Sequence, residues 1–245
     1  MLDQKRVKER FLGDTENHSM EIIKDDGLYR HLKFTNNGSQ CYRFDIHTWP
    51  GYLCICQDMG TYVFSRVSDM FEFFIMNDND FNKKHVINPS YWAEKLQSVD
   101  RDGARGDGNG YEEFSQETFE ENVWNDYKNF AEQYEDEDEE GVTEAYPEDT
   151  QTYKQMLEEL KEALQEEVID CSHDGQMRAY DAAMSFRWES DNKELKFDMC
   201  DFWDYSCTEY TFHYIWILYA IVWGITEYNK VKEPEAVEEE AETVA

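Results

Sequence analysis

The segment Tyr111–Asp170 constrains the fold of this chain most, because it concentrates negative charge that a folded structure must keep at its surface. It contains 22 acidic residues against three basic ones, a net charge of −19, and it includes the pure acidic run 135–140. Burying a carboxylate is costly unless it is paired, and three basic residues cannot pair 22 acidic ones. We therefore predict an acidic surface segment between two folded parts of ordinary composition.

Apolar residues with helical spacing flank the acidic run on both sides. After a cap at Ser115, and again after a cap at Asp149 or Thr150, they form two stripes, Phe119, Val123, Tyr127, Phe130 and Tyr134, and then Tyr153, Met156, Leu157, Leu160, Leu164 and Val168. Each helix thus has one apolar side and one acidic side. The pair can pack as an antiparallel hairpin or project as an arm.

Turn signals divide the region His31–Phe74 into short runs of strand-forming residues. The turns are Asn36-Asn37-Gly38, Trp49-Pro50-Gly51 and Asp58-Met59-Gly60, in which Asn and Gly accept positive φ and Pro fixes φ. They separate predicted strands at 32–34, 41–46, 52–56 and 61–64. A helix over 67–74 and another opened by Asn88-Pro89, with Leu96 on its apolar face, follow this β-meander.

The C-terminal part is rich in aromatic residues. A helix from about Cys207 to Asn229 is apolar nearly all round, which indicates a position at the centre of a core. Its longest apolar run, Phe212–Ile225, is shorter than the roughly 18 to 20 residues that cross a bilayer. Before it we expect a helix over 176–184, with Met177, Tyr180 and Met184 on one side, and paired strands at 186–188 and 195–197.

Together these patterns predict an α+β fold in four segments. An α+β N-terminal domain with the antiparallel meander covers residues 1–110, and an acidic helical arm covers 111–170. An aromatic-rich, mainly helical part that packs on the core covers 171–232. An acidic tail, 233–245, is expected to be disordered.

The charge of the whole chain excludes several classes of partner. The formal net charge is −32 and the computed isoelectric point is about 4.3, which disfavours direct binding to nucleic acid or to an anionic membrane. An aromatic content of 16% argues against a wholly disordered acidic polymer. The charged N-terminus lacks the pattern of a signal peptide, so we expect six reduced cysteines and a cytoplasmic protein.

A partner-binding role for the acidic segment is the functional hypothesis that the charge suggests. Carboxylates four residues apart on a helix are separated by roughly 6 Å, close to the phosphate spacing of a nucleic-acid strand. Such a face can enter a basic groove, although a solvated face that only maintains solubility is the alternative. The predicted partner-binding residues are Glu117, Glu120, Glu121, Asp126, Glu135, Asp136, Glu137, Asp138, Glu139, Glu140, Glu158, Glu159, Glu162, Glu166 and Glu167.

Motifs that carry catalysis are weak throughout the sequence. Cys54 and Cys56 share one face of a strand and, with Cys171 and His173, provide the donor types of a zinc site, but no Cys-x-x-Cys motif occurs. Glu194-Leu195-Lys196 only faintly follows the pattern of metal-dependent nucleases. His31, Asp45 and His47 offer no recognisable order of nucleophile and base. We therefore expect a non-enzymatic protein without a cofactor.

Three segments of the chain carry a resemblance to a known group of proteins. Cys41–Phe74, with Thr48-Trp49-Pro50-Gly51-Tyr52 and Asp58-Met59-Gly60-Thr61-Tyr62, together with Ile87–Lys95 and Glu209–Tyr228, resembles a family of uncharacterised phage and prophage proteins. The resemblance covers about half of the chain and leaves out the acidic segment. It implies a bacteriophage origin and action in the cytoplasm of a bacterial host.

Small acidic phage proteins often counter host defence, and some are DNA mimics or inhibitors of nuclease–helicase complexes such as Gabija. By this analogy the leading hypothesis is a phage-encoded inhibitor that binds a basic, DNA-binding surface of a host defence complex. The alternatives are an accessory protein of phage DNA metabolism and a metal-bound enzyme. Whether the chain forms a homo-oligomer is left open.

Overall fold

The computed structural model describes residues 2–75, 87–100, 109–134 and 153–243, with side chains described up to residue 232. The chain divides into two units. The first, here called the sheet unit, comprises Leu2–Glu113 and Tyr210–Ala245, and the second, the acidic unit, comprises Phe114–Glu209. The predicted α+β class is confirmed, since an antiparallel sheet is combined with helices in separate parts of the chain.

The sheet unit is built around a six-stranded antiparallel meander whose strands follow one another in chain order. Its elements are α1 (Gln4–Thr15), β1 (Ser19–Asp26), β2 (Tyr29–Thr35), β3 (Phe44–Trp49), β4 (Tyr52–Gln57), β5 (Tyr62–Ser65), α2 (Met70–Phe74), α3 (Pro89–Ala93), β6 (Leu96–Val99), β7 (Glu112–Phe114) and, after the acidic unit, β10 (Thr208–Tyr210) and α7 (Phe212–Thr243). Strands β7 and β10 contain the points at which the chain leaves and re-enters this unit.

The hairpin between β3 and β4 fixes the register of the central strands. Trp49 pairs with Tyr52 across the two-residue turn Pro50-Gly51, and Gly51 adopts a φ of +85° that a side chain would strain. This register places Ile46 opposite Ile55, both fully buried. Because side chains alternate along a strand, their sequence neighbours face the other side of the sheet.

Helix α7 covers the buried face of the sheet. A Cβ added at Gly224 would lie 2.7 Å from Ile46 Cδ1 and 3.0 Å from Phe34 Cζ, so the glycine allows the helix to approach β2 and β3 closely. Trp216 Nε1 donates a hydrogen bond to Asp14 Oδ2 at 3.2 Å, which joins the helix to α1. The sheet and α1 cover α7 on two sides, which explains why this helix is apolar nearly all round. No helix in the described ranges has the length and apolarity to cross a membrane.

Several details of this unit differ from the sequence expectations. Leu96 was predicted on a helical face, but α3 ends at Ala93 and Leu96 begins β6, which pairs with β5. The helix after β5 begins at Met70 with Asp69 as its cap, three residues later than the predicted start at 67. Helix α7 begins at Phe212, and the structure continues it to Thr243, where a disordered tail was expected from residue 233.

The acidic unit contains the described part of both acidic helices. Its elements are α4 (Gln116–Ala131), α5 (Tyr153–Leu164), a π-helical turn (Gln165–Ile169), a 3-10 helix (Asp170–Asp174), α6 (Gln176–Ser185), β8 (Arg187–Glu189), β9 (Lys196–Asp198) and a second 3-10 helix (Phe202–Asp204). Helices α4 and α5 run antiparallel, because the rings of Tyr134 and Tyr153 lie 5.4 Å apart at one end while Gln116 is hydrogen bonded to His173 at the other. Ser115 caps α4 as predicted.

These helices share one core with the residues that follow them, so the chain divides at other points than the predicted ones. Phe119 of α4 and Leu160 of α5 are fully buried in a cluster that also contains Ala179, Phe197 and Phe202. A boundary at 170/171 therefore falls inside a packed unit. The physical reason is that the apolar stripes of two helices are too wide to be covered by each other alone, and α6 and the β8–β9 hairpin bury the remainder.

Helix α6 has a different buried face from the predicted one. Met177 is 86% exposed and Met184 is 37% exposed, whereas Ala179 and Ala183 are fully buried. Small side chains let the helix approach its neighbours closely, so the buried face is the one with alanines rather than the one with long apolar residues. The paired strands predicted around 190–192 are confirmed as β8 and β9.

Candidate functional sites

The outer side of α5 and of the π-helical turn that continues it carries a row of predicted partner-binding carboxylates. Glu158, Glu162 and Glu166, together with Glu159 and Glu167, are all exposed. The opposite side of the helix is buried in the core of the acidic unit. The row is therefore held on a packed helix rather than on a free chain, and its members are separated by roughly 6 Å for each step of four residues.

The predicted residues of α4 divide into two kinds. Glu117 and Glu121 are exposed, but Glu120 and Asp126 are half-buried and make hydrogen bonds inside the unit. Glu120 accepts from the Gln116 amide at 2.7 Å, and Asp126 accepts from the Tyr205 hydroxyl, which raises the pKa of that tyrosine to about 12. Glu120 is thus engaged within α4, whereas Asp126 joins α4 to the segment that contains Tyr205. The predicted residues 135–140 lie outside the described residues.

The acidic unit cannot neutralise its own charge. By sequence it contains 29 acidic and seven basic residues, a net charge of −22, which is most of the net charge of the chain. The ion pairs described within it include Lys128–Glu132 at 3.7 Å and Lys196–Glu189 at 3.2 Å, both solvent-exposed. Even if every basic side chain paired with one carboxylate, at least 22 would remain without a basic partner in the unit.

A second cluster of functional groups lies on the face of the sheet that is turned away from α7. It consists of His31, Asp45, His47, Cys54 and Cys56 and is called the histidine–cysteine cluster below. The register places His31 opposite His47, His47 opposite Cys54, and Asp45 opposite Cys56. Since the alternate residues of these strands are buried beneath α7, all five side chains share the outer face.

Direct contacts join the members of this cluster. His31 Nε2 lies 3.1 Å from Asp45 Oδ2, and the two imidazole rings of His31 and His47 stack with centroids 4.0 Å apart. Arg43 donates to both carboxylate oxygens of Asp45, from Nε at 3.0 Å and from Nη2 at 2.9 Å. One donor atom from each of His31, Asp45 and His47 lies within 4.8 Å of the other two.

Burial and hydrogen bonds shift the pKa values within the cluster. Burial alone would raise the pKa of Asp45, but hydrogen bonds from Arg43 and His31 outweigh it and hold that pKa below its ordinary value. A hydrogen bond to Cys56 raises the pKa of His47. The Cys54 thiol lowers the pKa of Cys56 by hydrogen bonding to its thiolate, and the same bond raises the pKa of Cys54. Cys54 and His47 thus both stabilise the Cys56 thiolate through hydrogen bonds.

An open pocket of about 700 Å³ gives solvent access to this cluster. Its lining residues are Ile23, Lys24, Tyr29, Arg30, His31, His47, Thr48, Trp49 and Cys54. The Arg30 guanidinium is held by two hydrogen bonds to Asp69, at 2.9 Å and 2.8 Å. A small ion or molecule can thus reach the imidazoles from solvent.

The zinc ligand set considered from the sequence is divided between the units. Cys54 and Cys56 lie in the sheet unit, while Cys171 and His173 belong to the acidic unit, where His173 is hydrogen bonded to Gln116. Cys54 and Cys56 have His31, Asp45 and His47 as neighbours on the sheet instead. All six cysteines of the chain carry free thiols.

Sequence reasoning considered His31, Asp45 and His47 only as a nucleophile–base arrangement and missed them as a set of metal donors. The signal was available in the two-residue turn Pro50-Gly51. Counting back from that turn pairs position 47 with 54 and position 45 with 56, which brings four of the five cluster residues together. His31 joins them only through the pairing of β2 with β3.

Comparisons with protein-family models, with curated proteins and with solved structures found no match to this chain. The resemblance to phage and prophage proteins therefore stays a prediction.

Proposed function

We propose that this protein is a non-enzymatic binding protein whose acidic unit occupies a basic, nucleic-acid-binding surface of a partner protein. In line with the resemblance to phage proteins, the proposed partner is a nuclease complex of a bacterial defence system, and the proposed site of action is the cytoplasm of the host. The observation that carries the proposal is the charge excess of −22 in the acidic unit, which also has a packed helical core.

The packed helices favour binding because they position the carboxylates before the partner arrives. Side chains on a folded helix lose less conformational freedom on binding than those of a flexible acidic chain. The excess negative charge also steers a basic partner towards the unit, and this steering weakens as salt is added. Affinity for a basic protein should therefore be high at low ionic strength and should fall steeply with salt.

Two variants with the same net charge test whether position matters as well as total charge. The test variant replaces five exposed carboxylates of the acidic unit, Glu158→Gln, Glu159→Gln, Glu162→Gln, Glu166→Gln and Glu167→Gln. The control replaces five exposed carboxylates of the sheet unit, Glu9→Gln, Glu16→Gln, Glu21→Gln, Asp26→Asn and Glu72→Gln. Each changes the formal charge of the chain by the same amount.

Each protein is used to capture partners from lysates of bacteria that carry different nuclease defence systems, with washes at low and high salt. We expect the wild type and the control to retain one nuclease complex that duplex DNA competes away, and the test variant to lose it. Equal capture by all three proteins, or capture that DNA does not displace, would contradict the proposal. Capture of phage replication proteins alone would instead favour an accessory role.

A further inference from the structure

We propose that His31, Asp45 and His47 of the sheet unit bind a divalent transition-metal ion, with zinc as the best match, beside the pocket that His31 and His47 line on the outer face of the sheet. This site is independent of the proposed function of the acidic unit. It also differs from the cysteine-based set that the sequence suggested, because it requires neither Cys171 nor His173.

The spacing of the three donor groups fits one ion. In a tetrahedral site with bonds of about 2.0 to 2.1 Å, two ligand atoms are separated by roughly 3.3 Å. The distance of 3.1 Å between His31 Nε2 and Asp45 Oδ2 is already close to this value. The third donor atom, on His47, lies within 4.8 Å of both, so it needs to approach by at most about 1.5 Å, which rotation of a half-buried side chain can supply.

The hydrogen bonds of Asp45 are compatible with ligation. Each carboxylate oxygen has two acceptor positions, so a bond from Arg43 leaves one position free for an ion. Arg43 holds the carboxylate with two hydrogen bonds and fixes its orientation. Partners that orient a ligand in this way support metal binding. Asp45 is only 2% exposed, which keeps competing water away from it.

The donor set itself favours zinc among the divalent ions. Two imidazoles and one carboxylate suit zinc better than magnesium or calcium, which prefer sites made only of oxygen atoms. Cys54, opposite His47, and Cys56, opposite Asp45, lie beside this set in the sheet. The pocket lined by His31, His47 and Cys54 provides an entry path for the ion.

The test uses the full chain, freed of metal with a chelator and then titrated with Zn²⁺ in excess Mg²⁺. Magnesium occupies the many surface carboxylates and so suppresses adventitious binding to the acidic unit. We expect about one tightly bound zinc ion per chain, a rise in melting temperature on addition of zinc, and a cobalt complex with visible absorption bands typical of tetrahedral coordination.

His47→Asn should lower the zinc affinity at least about tenfold and abolish the rise in melting temperature, because it removes a ligand. His213→Asn is the matched control, since His213 is exposed on α7 of the same unit and should bind zinc as the wild type does. If His47→Asn fails to fold, His31→Asn replaces it, because the side chain of His31 is 27% exposed. Failure of the wild type to bind zinc in excess Mg²⁺, or equal affinity of the wild type and both ligand variants, would overturn the assignment.

Discussion

The ion pair between Arg30 and Asp69 provides the sharpest quantitative test of the sheet unit. The guanidinium of Arg30, on β2, donates two hydrogen bonds to the carboxylate of Asp69, the cap of α2. It also lies over the ring of Phe71 at 4.5 Å and that of Tyr228 at 5.7 Å. One side chain thus joins the sheet to helices α2 and α7, and Asp69→Asn removes the charge that compensates it.

The expected cost of this substitution follows from the burial of the pair. The Arg30 and Asp69 side chains are 11% and 19% exposed, between the buried and the fully exposed limits. Removing one partner costs about 3 to 5 kcal/mol in a buried pair and less than about 1 kcal/mol in an exposed one. Asparagine caps a helix as well as aspartate does, so the cap of α2 on Phe71 is retained. We therefore expect Asp69→Asn to lower the free energy of unfolding by about 2 to 3 kcal/mol.

The cost should depend on pH with a defined sign. Burial alone raises the pKa of Asp69, but the hydrogen bonds from Arg30 and from the Phe71 amide outweigh it, so the pKa in the folded protein lies below its ordinary value. The stability that the ionised carboxylate contributes is complete above the pKa of the unfolded chain and is lost as pH falls through the folded pKa. The difference between wild type and Asp69→Asn should therefore be largest near neutral pH and shrink below about pH 4.

Urea unfolding at pH 7 and pH 3, with both proteins measured at each pH, supplies the assay. Glu72→Gln, at an exposed neighbouring position of the same helix, is the control and should change stability by less than about 0.5 kcal/mol. An Asp69→Asn cost that is the same at both pH values, or no larger than that of Glu72→Gln, would refute the role assigned to the pair.

Three further substitutions test the packing inside each of the two units. Leu160→Ala should destabilise the acidic unit by about 2 to 5 kcal/mol in urea unfolding, because Leu160 is fully buried, while Glu162→Ala on the exposed side should change it by less than about 0.5 kcal/mol. Ala183→Leu should cost about 1 to 3 kcal/mol by overpacking, and a neutral result would show that this face of α6 is not in the core. Gly224→Ala should lower the melting temperature although alanine favours a helix, and Ile46→Val, which removes the Cδ1 atom that the new methyl group meets, should recover part of the loss in calorimetry.

The strands were predictable because their signals are local. Alternation of Tyr42, Phe44 and Ile46 and the Pro50-Gly51 turn indicate strands and their hairpin within a few residues of each other. One departure occurs at Tyr42, whose φ of +54° places it in a turn before β3 begins at Phe44. Local signals fail at Leu96, since the spacing of apolar residues in a run of four residues does not distinguish a helix from a strand.

The organisation into units depends on contacts between distant residues, which periodicity does not contain. The apolar stripe of α5 shows that this helix must be covered, but not that Ala179 and Phe197 cover it. In α6, hydrophobicity alone predicted that Met177 rather than Ala179 would lie on the buried face. The structure shows the reverse. A close approach between helices requires small residues such as Ala179, and the long side chain of Met177 remains in solvent.

The two candidate sites differ in what their sequence signals specify. A charge excess is visible in the composition, but it says little about which carboxylates are available, and the structure shows that Glu120 and Asp126 are engaged by Gln116 and Tyr205. The histidine–cysteine cluster is the reverse case, because its residues are unremarkable in the sequence and only the strand register brings them together.

Separate locations of these features make the two proposals independent in experiment. The carboxylates of α5 belong to the acidic unit, and the proposed zinc ligands belong to the sheet unit. A loss of zinc binding in His47→Asn with partner capture unchanged would assign the ion to a role within the sheet unit. Joint loss would mean that the ion supports the structure on which capture depends, since the five glutamates are poor zinc ligands when Mg²⁺ is in excess. His47→Asn and the variant with five Glu→Gln substitutions together separate a charged docking surface from a metal-dependent one.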